Sequence, residues 1–66
     1  MSEPVEIECK FIHYTGQAVK VDYDGKYFWI PERSIMGNTI DLRTLNKGDD
    51  LTLEIPEWLA LQEGLI

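Results

Sequence analysis

The stretch AVKVDYDGKYFWIP, Ala18 to Pro31, decides the fold, because two runs of strand-forming residues meet in it at Asp24-Gly25. That dipeptide between alternating apolar runs is the strongest short-range signal for a β-hairpin. A two-residue turn sets Tyr23 opposite Lys26, then Asp22 opposite Tyr27, Val21 opposite Phe28, Lys20 opposite Trp29 and Val19 opposite Ile30. Directly opposed residues share a face of the sheet. One face is therefore apolar, with Val19, Val21, Phe28 and Ile30, and the other carries Lys20, Asp22, Tyr27 and Trp29. Two large aromatic side chains on the face that the pattern gives to solvent mark it as a candidate binding surface.

Upstream, Val5 to His13 alternates, with Val5, Ile7, Cys9 and Phe11 on one side and Glu6, Glu8, Lys10 and Ile12 on the other, as a half-buried strand should. A two-residue turn at Thr15-Gly16 sets Phe11 against Lys20 and turns the apolar set to the wrong side. A three-residue loop Tyr14-Thr15-Gly16, with Gly16 left-handed as a bulge, pairs Phe11 with Val19, Cys9 with Val21 and Ile7 with Tyr23. All the apolar residues then agree, and the expectation is a three-stranded meander with one continuous inner face.

Downstream, Pro31 removes a ladder donor and so ends the strand or places it at an edge, and Glu32-Arg33-Ser34-Ile35 reads as one helical turn. Met36-Gly37-Asn38 reads as a loop, Thr39 to Leu42 as a short fourth strand, and Leu45 to Asp49 as a turn. Asp50 to Ile55 alternates with Leu51, Leu53 and Ile55 inward. Pro56 suits the first turn of a helix, Glu57 its positive end and Gly64 its C-terminal cap, so Pro56 to Glu63 is expected to be helical. Trp58, Leu59 and Leu61 are expected to seat that helix on the sheet. The fold class that follows is mostly β, of α+β type: a small SH3-like or OB-like antiparallel barrel of four to five strands with a short C-terminal helix, one domain over residues 1–66.

A chain of 66 residues has room for one small core, near the lower limit for folding without staples. Cys9 is the single cysteine and cannot form an intramolecular disulfide, and no Cys and His residues have zinc spacing. Stability must come from packing, for which a hydrophobic fraction of 44% suffices. Twelve acidic against six basic residues give a net charge of −6, which opposes non-specific binding to DNA, RNA or anionic membranes. No apolar run approaches the roughly 18 residues of a membrane span. The N-terminal MSEPVEIE lacks the basic and apolar regions of a signal peptide, so a cytoplasmic location without membrane association is expected.

His13, the only histidine, has no serine or cysteine set beside it and reads as a strand-end residue rather than a general base. Cys9 belongs to the inner face and reads as a small core hydrophobe rather than a nucleophile. The carboxylate pairs Asp49-Asp50 and Glu6/Glu8 have no EF-hand loop or histidine to organise them, so they read as solvated side chains. Catalytic residues, a metal site and a cofactor are therefore not expected. On the register above, the outer face of the meander holds Lys10, Lys20 and Trp29 in one row and Glu8, Asp22 and Tyr27 in the next. Such a face suits the anchors of a protein partner or a stacking platform for single-stranded nucleic acid; the C-terminal helix or the loop Ile35 to Leu42 folding over Trp29 is the structural alternative. The same register sets Glu8 opposite Asp22 and Glu6 opposite Asp24. Such opposed carboxylates suit steering onto a basic surface, with solubility as the plainer reading.

Trp29-Ile30-Pro31, then Ser34-Ile35, then Glu54-Ile55-Pro56-Glu57-Trp58-Leu59-Ala60 and Gly64-Leu65, resemble a family of short uncharacterised bacteriophage and prophage proteins with WIPxxxI and IPEWLA…GL motifs. The likeness runs from Ala18 onward and departs at Glu32-Arg33, where the family pattern has a lysine and an earlier serine. It implies a phage setting, in which very small acidic proteins often act on nucleic-acid or defence machinery. The resulting expectation is a non-enzymatic protein that binds a host or phage protein with a basic surface through Tyr27, Trp29, Lys20, Glu8 and Asp22, inhibiting a host nucleic-acid-binding or defence complex. Alternatives are a single-stranded nucleic-acid module using Lys10, Lys20, Tyr27 and Trp29, and a homodimer that buries the aromatic face.

Overall fold

The structure, a computed structural model, describes residues 3–36 and 41–66. Strands β2 (Ala18–Tyr23) and β3 (Lys26–Pro31) form the hairpin, with every pair from Tyr23↔Lys26 to Ala18↔Pro31 in the register that the two-residue turn dictates. Asp24 and Gly25 have φ of 54° and 80°, both left-handed as a type I′ turn requires. Val19, Val21 and Ile30 are completely buried beneath the hairpin, and each contributes roughly 1.5–3 kcal/mol of burial. Phe28 is half-buried and meets Tyr23 edge-to-face, with ring centroids 6.5 Å apart.

Strand β1 (Pro4–Tyr14) pairs with β2 in a register different from the expected one. Phe11 faces Val21 rather than Val19, and Tyr14 faces Val19. Between them the ladder slips, so that Ile12 and His13 together oppose Lys20 as a β-bulge. The three-residue loop and the left-handed Gly16 (φ 97°) are present, one step further along, with the loop at Thr15–Gln17. The Thr15 N–H donates to the Ala18 carbonyl at 3.0 Å, and the Thr15 hydroxyl accepts from the Gln17 and Ala18 N–H groups. A shift of two residues returns every side chain to its original face. Alternation alone therefore cannot separate the two registers, and the bulge lets Phe11 and Tyr14 both point inward.

Strand β4 (Asp50–Pro56) runs antiparallel to β1 from Pro4↔Pro56 to Lys10↔Asp50, giving the sheet order β3-β2-β1-β4. The preceding turn extends this pairing, since the Phe11 N–H donates to Asp49 and the Phe11 carbonyl accepts from Gly48. Leu51, Leu53 and Ile55 are buried as expected. Glu32–Ser34 form the expected helical turn, of 3-10 type. It carries the chain to the outer edge of β4, where the Met36 N–H donates to the Glu54 carbonyl at 2.6 Å. This one bridge, rather than a continuous ladder, links the segment leaving β3 to the far edge of the sheet. Of the expected fourth strand, Thr39 and Ile40 lie outside the described residues. Leu42 instead opens a second 3-10 turn, Leu42–Thr44, because the Asp41 carboxylate accepts from the Arg43 N–H and caps it.

Helix α1 (Glu57–Glu63) starts directly from β4, with Pro56 as its N-cap and Gly64 at φ 76° as its left-handed C-cap. The Leu65 N–H closes the end on the Ala60 carbonyl at 2.8 Å. Leu59, Ala60 and Leu65 enter the core. Trp58 and Leu61 do not: they are 51% and 58% exposed. They lie three residues apart on the helix face that points away from Leu59 and Ala60, and the capped C-terminus brings Leu65 inward in place of Leu61. The molecule is thus a mostly β, α+β domain: four antiparallel strands in one sheet with a C-terminal helix on its inner face.

Candidate functional site

The outer face of β2 and β3 brings Lys20, Tyr27 and Trp29 together. Their positions follow from the hairpin register, which places Lys20 opposite Trp29 and Asp22 opposite Tyr27. The Lys20 Nζ lies 4.8 Å from the Tyr27 ring centroid and 5.9 Å from that of Trp29, both within cation–π range. Tyr27 is 61% exposed and Trp29 47%. Helix α1 packs on β4 and β1 with its buried residues in the core, so it does not cover Trp29. The loop offered as a cover includes residues 37–40, which lie outside the described set.

The register of β1 rearranges the charges around this cluster. Lys10, not Glu8, is opposite Asp22, and Lys10 also makes a 3.0 Å ion pair with Asp50 on β4. The row expected to read Lys10, Lys20 and Trp29 therefore reads His13, Lys20 and Trp29, and its neighbour reads Lys10, Asp22 and Tyr27. Glu8 faces Thr52 across β1 and β4. The opposed carboxylates expected at Glu8/Asp22 and Glu6/Asp24 are not opposed. The like-charged pair is Glu6 and Glu54, on the side of the sheet remote from the aromatics. Glu8 and Asp22 share one shallow depression of the outer face with Lys10, Asp24 and Asp50. Tyr27, Trp29, Lys20 and Asp22 thus adjoin one another, and Glu8 stands toward the acidic end.

His13 joins the cluster's row although its spacing in β1 gave no sign of it. The signal was the bulge, which swaps the parity of the strand after Phe11 and which alternation of apolar residues does not report. Tyr14, next along, donates its hydroxyl to the Glu32 carboxylate and ties the end of β1 to the turn after β3. That hydrogen bond raises the Tyr14 pKa above the usual phenol value, with desolvation and the charge of Glu32 acting in the same direction.

Cys9 is buried and its Sγ donates to the Leu51 carbonyl at 3.4 Å. Burial pushes its pKa up to about 11, so the thiolate that a nucleophile needs is scarce at neutral pH. Among the described residues no three His, Cys, Asp or Glu side chains are grouped to hold a metal ion, and no helix is long and apolar enough to cross a membrane.

No family model, curated protein or solved structure matches the chain. The two motifs that carry the phage resemblance fall at different places. Trp29-Ile30-Pro31 ends β3, with Trp29 on the outer face and Ile30 in the core. Ile55 to Ala60 forms the junction of β4 and α1, with Ile55, Leu59 and Ala60 buried, so most of the second motif has a packing role.

Proposed function

We propose that this protein is a non-enzymatic binding module that docks on another protein through the outer face of β2 and β3. The observation that carries this reading is the Lys20 ammonium held over two exposed rings, Tyr27 and Trp29. Aromatic residues ordered by a neighbouring cation lose little side-chain entropy on binding, and Trp and Tyr are the commonest interface anchors. Asp22 and Glu8, at the acidic side of the same face, and the net charge of −6 favour a partner with a basic surface. With the phage-like motifs, this supports an inhibitor of a host nucleic-acid-binding or defence complex, acting in the host cytoplasm. The test is capture of partners from host lysate by tagged protein, followed by binding kinetics. Trp29→Ala is expected to weaken the captured complex by roughly 30-fold or more, and Asp22→Asn with Glu8→Gln to slow association at low salt only. Unchanged affinity and on-rate in these variants would place the interface elsewhere.

The His13, Lys20 and Trp29 row also favours a second reading, stacking on single-stranded nucleic acid. Titration with a labelled oligonucleotide at low salt decides it, because absence of binding there removes this reading.

A further inference from the structure

We infer that β3 is the interface of a two-fold symmetric homodimer, in which β3 pairs antiparallel with β3 of a second copy about Phe28. Among the described residues β3 pairs only with β2. In an antiparallel hairpin the pairs alternate between exchanging both hydrogen bonds and exchanging neither. The type I′ turn makes Tyr23↔Lys26 a bonded pair, so Val21↔Phe28 and Val19↔Ile30 are bonded too. The N–H and C=O groups of Tyr27 and Trp29 consequently point to the free edge. Pro31, next in that series, has no N–H to offer there, which sets the end of the available edge.

This edge is complementary to itself. Centring the pairing on Phe28 sets Tyr27 opposite Trp29 of the second copy, and Trp29 opposite its Tyr27, each pair exchanging both main-chain bonds. Phe28, half-buried in one copy, meets its own equivalent on the inner side. On the outer side the row Lys20, Trp29 continues into Tyr27 and Asp22 of the second copy, so a cation and a carboxylate flank two adjoining aromatics, and symmetry repeats the arrangement. Natural edges are blunted by central charges, prolines or bulges; here Lys26 and Pro31 stand only at the strand ends, leaving Tyr27 to Ile30 unprotected. The far edge differs, because Met36 occupies the Glu54 carbonyl of β4. Glu6, Glu8, Asp50 and Glu54 lie on β1 and β4, across the sheet from this edge, and the like charges that the pairing does oppose, Asp24 of one copy and Glu32 of the other, lie beyond the ends of β3. The dimer uses the β3 main chain and leaves the outer-face side chains open, so it stands independently of the proposed partner.

Sedimentation equilibrium from micromolar to near-millimolar concentration is expected to show the 7.6 kDa chain doubling its mass. Tyr27→Pro removes a free-edge donor that the β2–β3 ladder does not use, and is expected to give a folded monomer by circular dichroism. Phe28→Cys in a Cys9→Ala background is expected to form an intermolecular disulfide under mild oxidation. It lies opposite itself in a pair without main-chain bonds, where Cα atoms approach to about 4.5 Å. Tyr27→Cys in the same background, facing position 29, is expected not to form one. A monomer throughout the concentration range, or a dimer unaffected by Tyr27→Pro, overturns the proposal. Should Tyr27→Pro fail to fold, the Phe28→Cys disulfide decides, and its absence overturns the proposal equally. None of these readouts involves the partner, so failure here leaves the binding reading intact and failure of that reading leaves the dimer intact.

Discussion

The two hairpins of this sheet share β2 yet are specified in different ways. Between β2 and β3 a two-residue turn with two left-handed residues admits one register, and every pair follows from it. Between β1 and β2 a three-residue loop and a bulge at Ile12 and His13 share the work, and the register lies two residues from the one that apolar alternation suggests. Tight turns specify register locally. Longer loops leave it to whatever else β1 must satisfy, here the pairing with β4 up to Lys10 and the bonds from Phe11 to Gly48 and Asp49. The aromatic face depends on the first kind of specification, and the charges around it depend on the second.

The largest expected effect removes the core under the tight hairpin. Ile30→Ala empties a site with no exposure and is expected to cost about 2–5 kcal/mol in urea denaturation. A small domain has only about 0.05–0.15 kcal/mol of stability per residue, so the variant should be largely unfolded at 37 °C. Retention of wild-type stability would mean that β3 is not what anchors the core.

The two turns can be set against each other directly with Gly16→Ala and Gly25→Ala. A Cβ at either position meets nothing within 4 Å, so only the backbone conformation is tested. Each is expected to cost roughly 1–2 kcal/mol. The loss should be greater at Gly16, whose φ of 97° lies further from the left-handed minimum than the 80° of Gly25. A reversed order would show that the type I′ turn, not the longer loop, carries the greater constraint.

Cys9 reports on β1 as it lies between its neighbours. Its folded pKa of about 11 exceeds the unsupported thiol value of 9.0, so the folded state holds the proton more tightly. Stability from this group is fully present below pH 9 and is lost as pH rises toward 11. Cys9→Ala is expected to flatten that part of the pH profile, and the native thiol should react with a disulfide reagent at pH 8 far more slowly than in denaturant. Equal slopes in both proteins would show that the thiol is not sequestered.

The smallest effect is the sharpest for the β1–β2 register. Lys10→Glu sets a like charge against both Asp22 and Asp50 and is expected to cost about 0.2–1 kcal/mol, less at high salt. In the register of simple alternation the same residue faces Lys20 instead of Asp22, while Asp50 is its β4 neighbour in both arrangements. A double-mutant cycle of Lys10→Glu with Asp22→Asn therefore distinguishes them, because coupling between these two positions is expected only in the observed register.

Much of the candidate site was legible because the β2–β3 turn is. Tyr27 and Trp29 beside Lys20 follow from Asp24-Gly25 and a period of two. Glu8 and Lys10 face other partners than alternation suggests, and His13 joins the row of Lys20, because these positions depend on the bulge, whose extra residue leaves no mark in the pattern of apolar side chains. Hydrophobicity alone assigns Trp58 and Leu61 to the core. A helix this short buries one narrow face, and its attachment to β4 at Pro56 gives that face to Leu59 and Ala60. The turn at Leu42 depends on the Asp41 cap, which competes with the extended conformation that Thr39 to Leu42 suggests.

By itself the sequence determined the elements with local causes: the type I′ hairpin, the alternating strand Asp50 to Ile55, the edge position of Pro31, the left-handed loop residue Gly16 and the left-handed cap Gly64. Short-range sterics and side-chain parity suffice for these. Only the tertiary structure decided which residues of β1 face which of β2, that β4 lies beside β1, that Met36 reaches the far edge, and which face of α1 is buried. Those choices turn on main-chain hydrogen bonds and packing between different segments, from Tyr14 and Val19 across one loop to Pro4 and Pro56 at opposite ends of the sheet pairing, where several registers satisfy the same local pattern and the shared core selects one.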